Sequence, residues 1–354
     1  MRSLDRRALL QASLAALATV AVSERAEAAE RKGWAATPPA GFQRASFPGR
    51  VVRVAKGGVM QPDTVYPDAK AAEVMLERAL TELTGKSTLR EAMAAFVHPS
   101  DRVAIKPNGI AGRQTLKMAT SKELTIAVIR AVIDVGVPPE NITVFEQYRD
   151  FLFATRLISD KNTLTPADDV PAGVKMAVHL NKDATMDGIL VGGKTTKYVT
   201  PFTEASVVIN VSQIKDHSIC GFTGAMKNIT HGCNINPHDF HAHNASPQIA
   251  HLYAQDVIKS RVALHLADAF QIIYDEGPID VNPRRRVLHE AVYAATDPVA
   301  MDVIGHKAVE KLRKDNGLPS LADAGRAPHY IQAAGELGLG VFDDNRIRFR
   351  DITL

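Results

Sequence analysis

The stretch that most restricts the fold is residues 101–145, which predict a strand, a helix and a second strand in succession. Residues 103–105 are an apolar run that Pro107 ends, because proline cannot continue a strand inside a sheet. The helix that follows stops at Gly136, and residues 142–145 form the next strand. Strands joined by a single helix pair in parallel, so we predict an α/β fold with a mainly parallel sheet wrapped by helices.

In such a sheet, ligands bind in a crevice at the carboxyl ends of the strands, and polar residues follow the strands here. A second buried strand is predicted at residues 207–211, since β-branched residues interrupted only by Asn210 suit a strand covered on both faces. Lysines near a cleft need anionic partners, so we predict a crevice that binds a small anionic molecule. The predicted substrate-binding residues are Lys106, Asn108, Lys215, Lys227 and Asn228.

The same lysines have an alternative interpretation, an internal network of ion pairs without a ligand. Asp268, which follows a predicted buried strand, and Asp297 or Asp302 would then supply the negative charges. In the ligand-binding interpretation, His217 is the candidate base, because a nearby Lys215 lowers the pKa of its imidazole. Asp268 would orient a histidine or bind a metal from the end of its strand. The predicted catalytic residues are therefore His217 and Asp268.

Residues 206–243 are dense in groups that bind metals, since both cysteines and five of the 12 histidines of the chain lie there. Imidazole and thiolate suit Zn, Fe, Cu or Ni, so we predict a single transition metal. The spacing matches no structural zinc signature, but a catalytic site needs only three protein ligands and an open position. The alternatives are a surface loop of solvated histidines and catalysis by one histidine without a metal. The predicted metal ligands are His231, Cys233, His238, His241 and His243.

Residues 1–28 predict a signal peptide of the twin-arginine type. Arg6 and Arg7 precede a weakly hydrophobic run, and residues 26–28 offer a small-x-small cleavage site. We therefore expect export by the twin-arginine machinery to the periplasm or another exported location. The alternative is an amphipathic helix that belongs to the mature fold. Residues 29–50, rich in Pro, Gly and Ala, predict an irregular leader.

Composition argues against two classes of partner. The net charge of +3 comes partly from the N-terminal arginines and from the arginine triplet at 284–286, so we expect no nucleic-acid partner. After residue 30, no apolar run reaches the roughly 18 residues of a membrane-spanning helix. We therefore expect no transmembrane segment in the mature chain.

Several motifs resemble, in their order and spacing, the family known as domain of unknown function 362. They are VAIKPN at 103–108, ASVVINV at 205–211, Lys215-Asp216-His217, GAMKN at 224–228, Gly232-Cys233, Asp268, Gly277-Pro278 and DPVAMD at 297–302. The resemblance implies a single α/β domain of this type over residues 51–354. It implies a fold more than an activity, because the activity of the family is not established.

Together these patterns predict an exported, metal-dependent enzyme that acts on a small anionic substrate. One alternative is a non-catalytic periplasmic protein that binds a metal or a small anion. The other is a redox accessory protein with an iron site. Turnover separates the enzyme from the binding protein, which changes its stability with ligand but converts nothing. Visible absorption would reveal the iron site.

Overall fold

Nine strands form one sheet in the computed structural model, which describes residues 34–115, 118–179 and 184–354. Two short hairpins lie outside this sheet. The strands of both are β1 Arg50–Ala55, β2 Val103–Lys106, β3 Ile142–Glu146, β4 Ile158–Asp160, β5 Thr165–Pro166, β6 Lys175–Val178, β7 Ile189–Val191, β8 Lys194–Thr196, β9 Val207–His217, β10 Gly221–Thr223, β11 Val262–Ile273, β12 Arg286–Ala295 and β13 Arg348–Thr353.

The strand order of the sheet is β13-β1-β12-β11-β9-β2-β3-β6, with β10 paired to β9. From β11 through β9, β2 and β3 to β6, every neighbouring pair is parallel. Only β12 runs antiparallel to both of its neighbours, β1 and β11. The carboxyl ends of five parallel strands therefore meet at one edge, where open α/β sheets bind their ligands. The predicted fold class, α/β with a mainly parallel sheet, is confirmed.

Two of the longer helices begin at aspartate caps that the sequence supplies. The Asp68 carboxylate accepts a hydrogen bond from the Ala71 N–H, and Asp297 caps the long helix that starts at Pro298. The helices are α1 Ala69–Thr84, α2 Leu89–Met93, α3 Lys122–Val135, α4 Arg149–Ala154, α5 Thr200–Thr203, α6 Ala225–Thr230, α7 Gln248–Tyr253, α8 Asp256–Lys259, α9 Pro298–Asp315 and α10 Tyr330–Glu336.

Helices cover both faces of the sheet. Alternate residues of β9, namely Val207, Ile209 and Val211, share one apolar core with buried side chains of α1 and α3. Asn210 lies between them on the opposite face, where its Nδ2 donates to the Ala225 carbonyl in α6 at 2.9 Å. Helices α6 and α9 both contact β9. The sheet is thus the middle layer of three.

Strand β9 is longer than predicted. The sequence favours an end at Val211, because polar residues follow, but the strand continues to His217 and is buried throughout. Its polar side chains are satisfied inside the protein: Ser212 Oγ donates to a carbonyl of β11, and Lys215 Nζ donates to Gln213 Oε1. Paired polar groups of this kind are compatible with burial, so the strand runs past its apolar section.

Ala35–Leu354 form one compact unit. The predicted signal peptide, residues 1–28, lies outside the described residues. The described part of the predicted leader, residues 34–49, contains neither helix nor strand, and Arg44 fastens it through two hydrogen bonds of 2.8 Å to the Asp101 carboxylate. None of the helices in the described part of the chain combines the length and apolar character that crossing a bilayer requires.

Candidate active site

A cavity of about 700 Å³ opens at the carboxyl ends of β2, β3 and β9. Its volume lies within the range of sites that bind cofactors and mid-sized ligands. Eight of the twelve predicted site residues line it: Lys106, Asn108, His217, Lys227, Asn228, His231, His238 and His241. Four do not: Lys215, Cys233, His243 and Asp268.

Lys106 ends β2 and is the first charged residue of the cavity. Its ammonium lies 3.0 Å from the Glu146 carboxylate at the end of β3, and the two side chains are 1% and 3% exposed. The same carboxylate accepts hydrogen bonds from the backbone N–H groups of Gly109 and Gln147, both at 2.7 Å. Lys106 is therefore neutralised within the protein and holds the loops after two strands together.

Below the cavity lies a buried network of amides around Lys215. Lys215 Nζ donates to Asn108 Oδ1 at 2.7 Å and to Gln213 Oε1 at 3.1 Å. Asn108 Nδ2 in turn donates to Asn228 Oδ1 at 2.9 Å. Burial lowers the pKa of Lys215 to about 7, with further lowering by Lys227 and Lys106 and an opposing effect of Glu146. Lys215 supports the floor of the cavity and does not reach its surface.

Lys227 differs from Lys106 because it has no partner. It lies in α6, and its residue is 8% exposed. No side chain or carbonyl of the described residues forms a hydrogen bond or ion pair with its ammonium. Burial lowers the pKa of this lysine. A buried charge without a counter-ion is costly, so Lys227 is the group in this cavity best suited to bind an anion.

His241 and His217 hold their ring protons on different nitrogens. His241 Nδ1 lies 2.8 Å from the Pro237 carbonyl, which can only accept, so Nδ1 carries the proton and Nε2 has a free lone pair. His217 Nδ1 accepts from the Ile219 N–H at 3.1 Å, so the proton of the neutral ring is on Nε2. The rings stack with centroids 6.1 Å apart. One nitrogen is thus poised to take a proton and the other to donate a hydrogen bond.

Both rings are kept neutral at physiological pH. Burial, followed by the charge of Lys227, lowers the pKa of His241 to about 4. The same two causes, in the same order, lower the pKa of His217 well below its ordinary value. Because neither ring holds a second proton near pH 7, His241 remains able to act as a base.

His231 is already engaged on both of its nitrogens. Its Nε2 donates to the Phe240 carbonyl at 3.2 Å, and its Nδ1 lies 3.2 Å from the Thr230 hydroxyl. Its ring meets that of His241 edge-on, with centroids 4.6 Å apart. The residue therefore positions His241 and the segment around Phe240, whereas His238 lines the more exposed part of the cavity wall.

The predicted metal ligands do not form one cluster. Cys233 is buried, and its thiol points to the Asn228 carbonyl at 3.9 Å. Burial raises the pKa of that thiol to about 12, against the thiolate form that binds metals. His243 adopts a left-handed backbone conformation and is not part of the lining. Among the described residues, no three or more His, Cys, Asp or Glu side chains are arranged to hold a metal. The metal site stays a prediction.

Asp268 lies away from the cavity, at the start of α3. Its carboxylate accepts a hydrogen bond of 2.6 Å from the Ser121 N–H, and burial raises its pKa to about 6. This contact is that of a helix cap supplied by a distant residue. The structure does not bring Asp268 to His217, so its predicted catalytic use has no geometric support here.

Among the lining residues that were not predicted, Glu146 and Arg113 bear most on the chemistry of the cavity. Glu146 ends β3 just as Lys106 ends β2, so the rule that selected Lys106 would also have selected it. Arg113 lies in the 3-10 turn Ile110–Thr115, and its Nε is buried without a hydrogen-bond partner. No sequence signal distinguishes Arg113 from a surface arginine in a loop.

Residues behind the cavity hold in place helix α6, which carries Lys227, and strand β9, which ends at His217. The Asp302 carboxylate accepts hydrogen bonds from the Ala225 and Met226 N–H groups at 2.6 and 3.1 Å, which caps α6. Arg326 Nη1 donates to Asp216 at 2.8 Å and to the His217 carbonyl at 2.9 Å. Gly224 is required at this point because a Cβ there would lie 2.3 Å from an Asp302 oxygen. Lys227 and His217 are thus held by buried charges.

Comparison with solved structures finds the lactate racemase apoprotein from Thermoanaerobacterium thermosaccharolyticum, at 13% identity and a TM-score of 0.40. The match covers 78% of this chain and 59% of the other, so this chain spans less than two thirds of the length of that protein. A similarity this low carries no information about activity. No curated protein matches the sequence.

The family comparison is more informative. The model of domain of unknown function (DUF362) matches residues 103–307, more than half of the chain. The matched segment contains the strands that end at the cavity and every lining residue of it. The predicted family is thereby confirmed: the chain belongs to the family called domain of unknown function 362.

Proposed function

We propose that this protein is an enzyme that binds a small anionic substrate at Lys227 and moves a proton with His241. The observation that carries the proposal is the unpaired ammonium of Lys227, a residue only 8% exposed, in the same cavity as two neutral histidines with different free ring nitrogens. A binding protein needs the cation alone. The unprotonated Nε2 of His241 and the Nε2–H of His217 are the additional features that favour chemistry.

Each group has a separate role in the proposed reaction. Lys227 binds the anionic group of the substrate and keeps it at the carboxyl edge of the sheet. His241 takes a proton from the bound molecule at Nε2 and returns it later. His217 stays neutral and donates its Nε2–H, as a preorganised donor, to the oxygen on which negative charge develops.

Exchange into heavy water tests this proposal without knowledge of the product. The protein is incubated in D2O with a panel of small carboxylates, and proton NMR follows both conversion and deuterium incorporation. The His241→Gln variant should abolish exchange but still bind the carboxylates, whereas Lys227→Met should abolish binding. Exchange that persists in His241→Gln would refute the role of His241.

A second candidate is metal-dependent catalysis, which one observation favours. The Nδ1–H of His241 bonds to a carbonyl and leaves Nε2 free, which is the arrangement that orients metal-binding histidines. The His238 ring centroid lies 6.2 Å from that of His241, so these two residues would supply two of the three protein ligands that a catalytic Zn, Fe, Cu or Ni site needs. Such an ion would supply a Lewis acid.

Metal content separates the two candidates. The protein without an affinity tag is analysed for metals, treated with a chelator and tested for exchange. Exchange that survives complete removal of metal supports the first candidate. Exchange that is lost and returns with one specific metal supports the second, as does loss of that metal in His238→Ala. A visible absorption band would instead support an iron site in a redox accessory protein.

We also propose that the protein is exported by the twin-arginine route to the periplasm. The support is the sequence alone, Arg6-Arg7 before a weakly hydrophobic run. Replacing both arginines by lysine should retain the precursor in the cytoplasm, which fractionation and immunoblotting would detect. Processing of that variant at the wild-type rate would contradict the proposal.

A further inference from the structure

The cavity contains a second cation without a partner, Arg113. Its guanidinium lies in the cavity wall, and its Nε is buried with no acceptor. No described residue forms an ion pair or hydrogen bond with this side chain. A buried donor that is left unsatisfied costs about 1–3 kcal/mol, more when it is charged. An unsatisfied cationic donor in the wall of this cavity indicates a ligand for it.

The unpaired charges of the residues that line the cavity determine how much negative charge the ligand must carry. Lys106 is neutralised by Glu146 at 3.0 Å, and Asp150 is neutralised by Lys161, also at 3.0 Å. Two positive charges therefore remain, one on Lys227 and one on Arg113.

Two carboxylates match these two charges, because each carboxylate carries a single negative charge near pH 7. The planar fork of an arginine also fits a carboxylate through two parallel hydrogen bonds. One carboxylate on each cation gives a neutral complex.

The other side chains of the cavity wall indicate that the part of the ligand between its two carboxylates is apolar. Several lining side chains are apolar or aromatic: Ile110, Tyr148, Phe151, Ile219, Pro278 and Ile279. The volume of about 700 Å³ also exceeds what a carboxylate of two or three carbons would fill. An apolar segment between the two anionic ends would cover these side chains and remove their surface from water.

We infer that the substrate is a dicarboxylate with an apolar body, one carboxylate on Lys227 and the other on Arg113. This inference rests on the proposed function, because Lys227 is the anion site in both. It adds that Arg113 determines specificity: Lys227 binds any small carboxylate, and Arg113 selects those with a second one.

Calorimetric titration of matched ligands tests the inference. One series is linear dicarboxylates from succinate to sebacate, and the other is monocarboxylates of the same chain lengths. The wild type should bind a dicarboxylate of the best length roughly tenfold or more tightly than its monocarboxylate match. Arg113→Gln should bind both at the monocarboxylate level. Arg149→Gln, which removes the same charge from a side chain outside the lining, should behave as wild type.

The outcomes separate this inference from the proposal beneath it. A dicarboxylate preference that is absent from the wild type, or that survives in Arg113→Gln, overturns the role of Arg113. The role of Lys227 stands in that case if Lys227→Met still loses both series. Unchanged monocarboxylate binding by Lys227→Met overturns the proposed function itself. Failure of the wild type to bind either series overturns both.

Discussion

Two buried lysines line the same cavity, and replacing each by methionine should change stability in opposite directions. Lys106 is paired with Glu146 at 3.0 Å, with both side chains at most 3% exposed. Lys106→Met would leave that carboxylate buried without its counter-charge. Breaking a buried ion pair from one side costs about 3–5 kcal/mol, so a loss of unfolding free energy of that order is expected.

Lys227→Met should instead stabilise the protein without ligand. The residue is 8% exposed and its ammonium has no partner among the described residues, so methionine removes an unsatisfied charge at similar volume. The expected gain is about 1–3 kcal/mol. Because burial lowers the pKa of Lys227 in the folded state, the penalty is fully present below that pKa. It fades as the pH rises towards the unfolded value of 10.5, so the gain should shrink at alkaline pH.

Urea unfolding followed by circular dichroism measures both effects in a buffer free of carboxylates. Lys194→Met, at an exposed position, controls for the loss of one positive charge from the chain. If Lys227→Met destabilises the protein as Lys106→Met does, then Lys227 has an internal partner, and the argument for an anion site fails. If the gain in unfolding free energy of Lys227→Met is the same at neutral and alkaline pH, then the gain does not come from removing the charged ammonium of Lys227.

Three further predictions concern groups around the cavity. Burial raises the pKa of Asp302 to about 7, so the folded state holds an extra proton above the usual pKa of 3.8, and wild-type stability should fall as the pH rises through this window. Asp302→Asn should flatten that decline in urea midpoints. Arg326→Gln removes the donor to Asp216 and to the His217 carbonyl, which should lower stability by about 1–3 kcal/mol and slow deuterium exchange, with partial recovery in Arg326→Lys. The second-order rate of deuterium exchange, measured at low substrate so that it reports the free enzyme, should be constant from neutral pH downward and halve near pH 4, where His241 gains its second proton; a fall near pH 6.5 would contradict this.

Much of the cavity could be predicted because the sheet positions it. Lys106 and His217 each end a parallel strand, and parallel strands bring their carboxyl ends to one edge whatever the rest of the chain does. The sequence therefore indicated correctly that these residues lie together, although they are far apart along the chain. Glu146 obeys the same rule and could have been included.

The partners of each charge could not be predicted. Lys106 and Lys227 look alike in the sequence, since both lie next to polar turns, yet one has a carboxylate at 3.0 Å and the other has none. The pairing of β2 with β3 follows from the strand-helix-strand pattern, but which side chain faces each ammonium depends on side-chain packing that no local pattern encodes. Local density was misleading for the metal ligands too, because Cys233 and His243 are close to His241 in sequence but do not line the cavity.

The most specific consequence of the structure is a coupling between the proposed anion site and the proposed base. After burial, the charge of Lys227 is the largest cause of the lowered pKa of His241, about 4. An anion bound to Lys227 neutralises that charge, so the pKa of His241 should rise when substrate binds. The base thus becomes stronger only when there is a proton to remove. NMR titration should show that propionate raises the pKa of the His241 imidazole in the wild type. In Lys227→Met this pKa should be raised by an equal or larger amount without any ligand, and adding propionate should not change it further. A pKa that is the same in all of these samples would show that the two groups act independently.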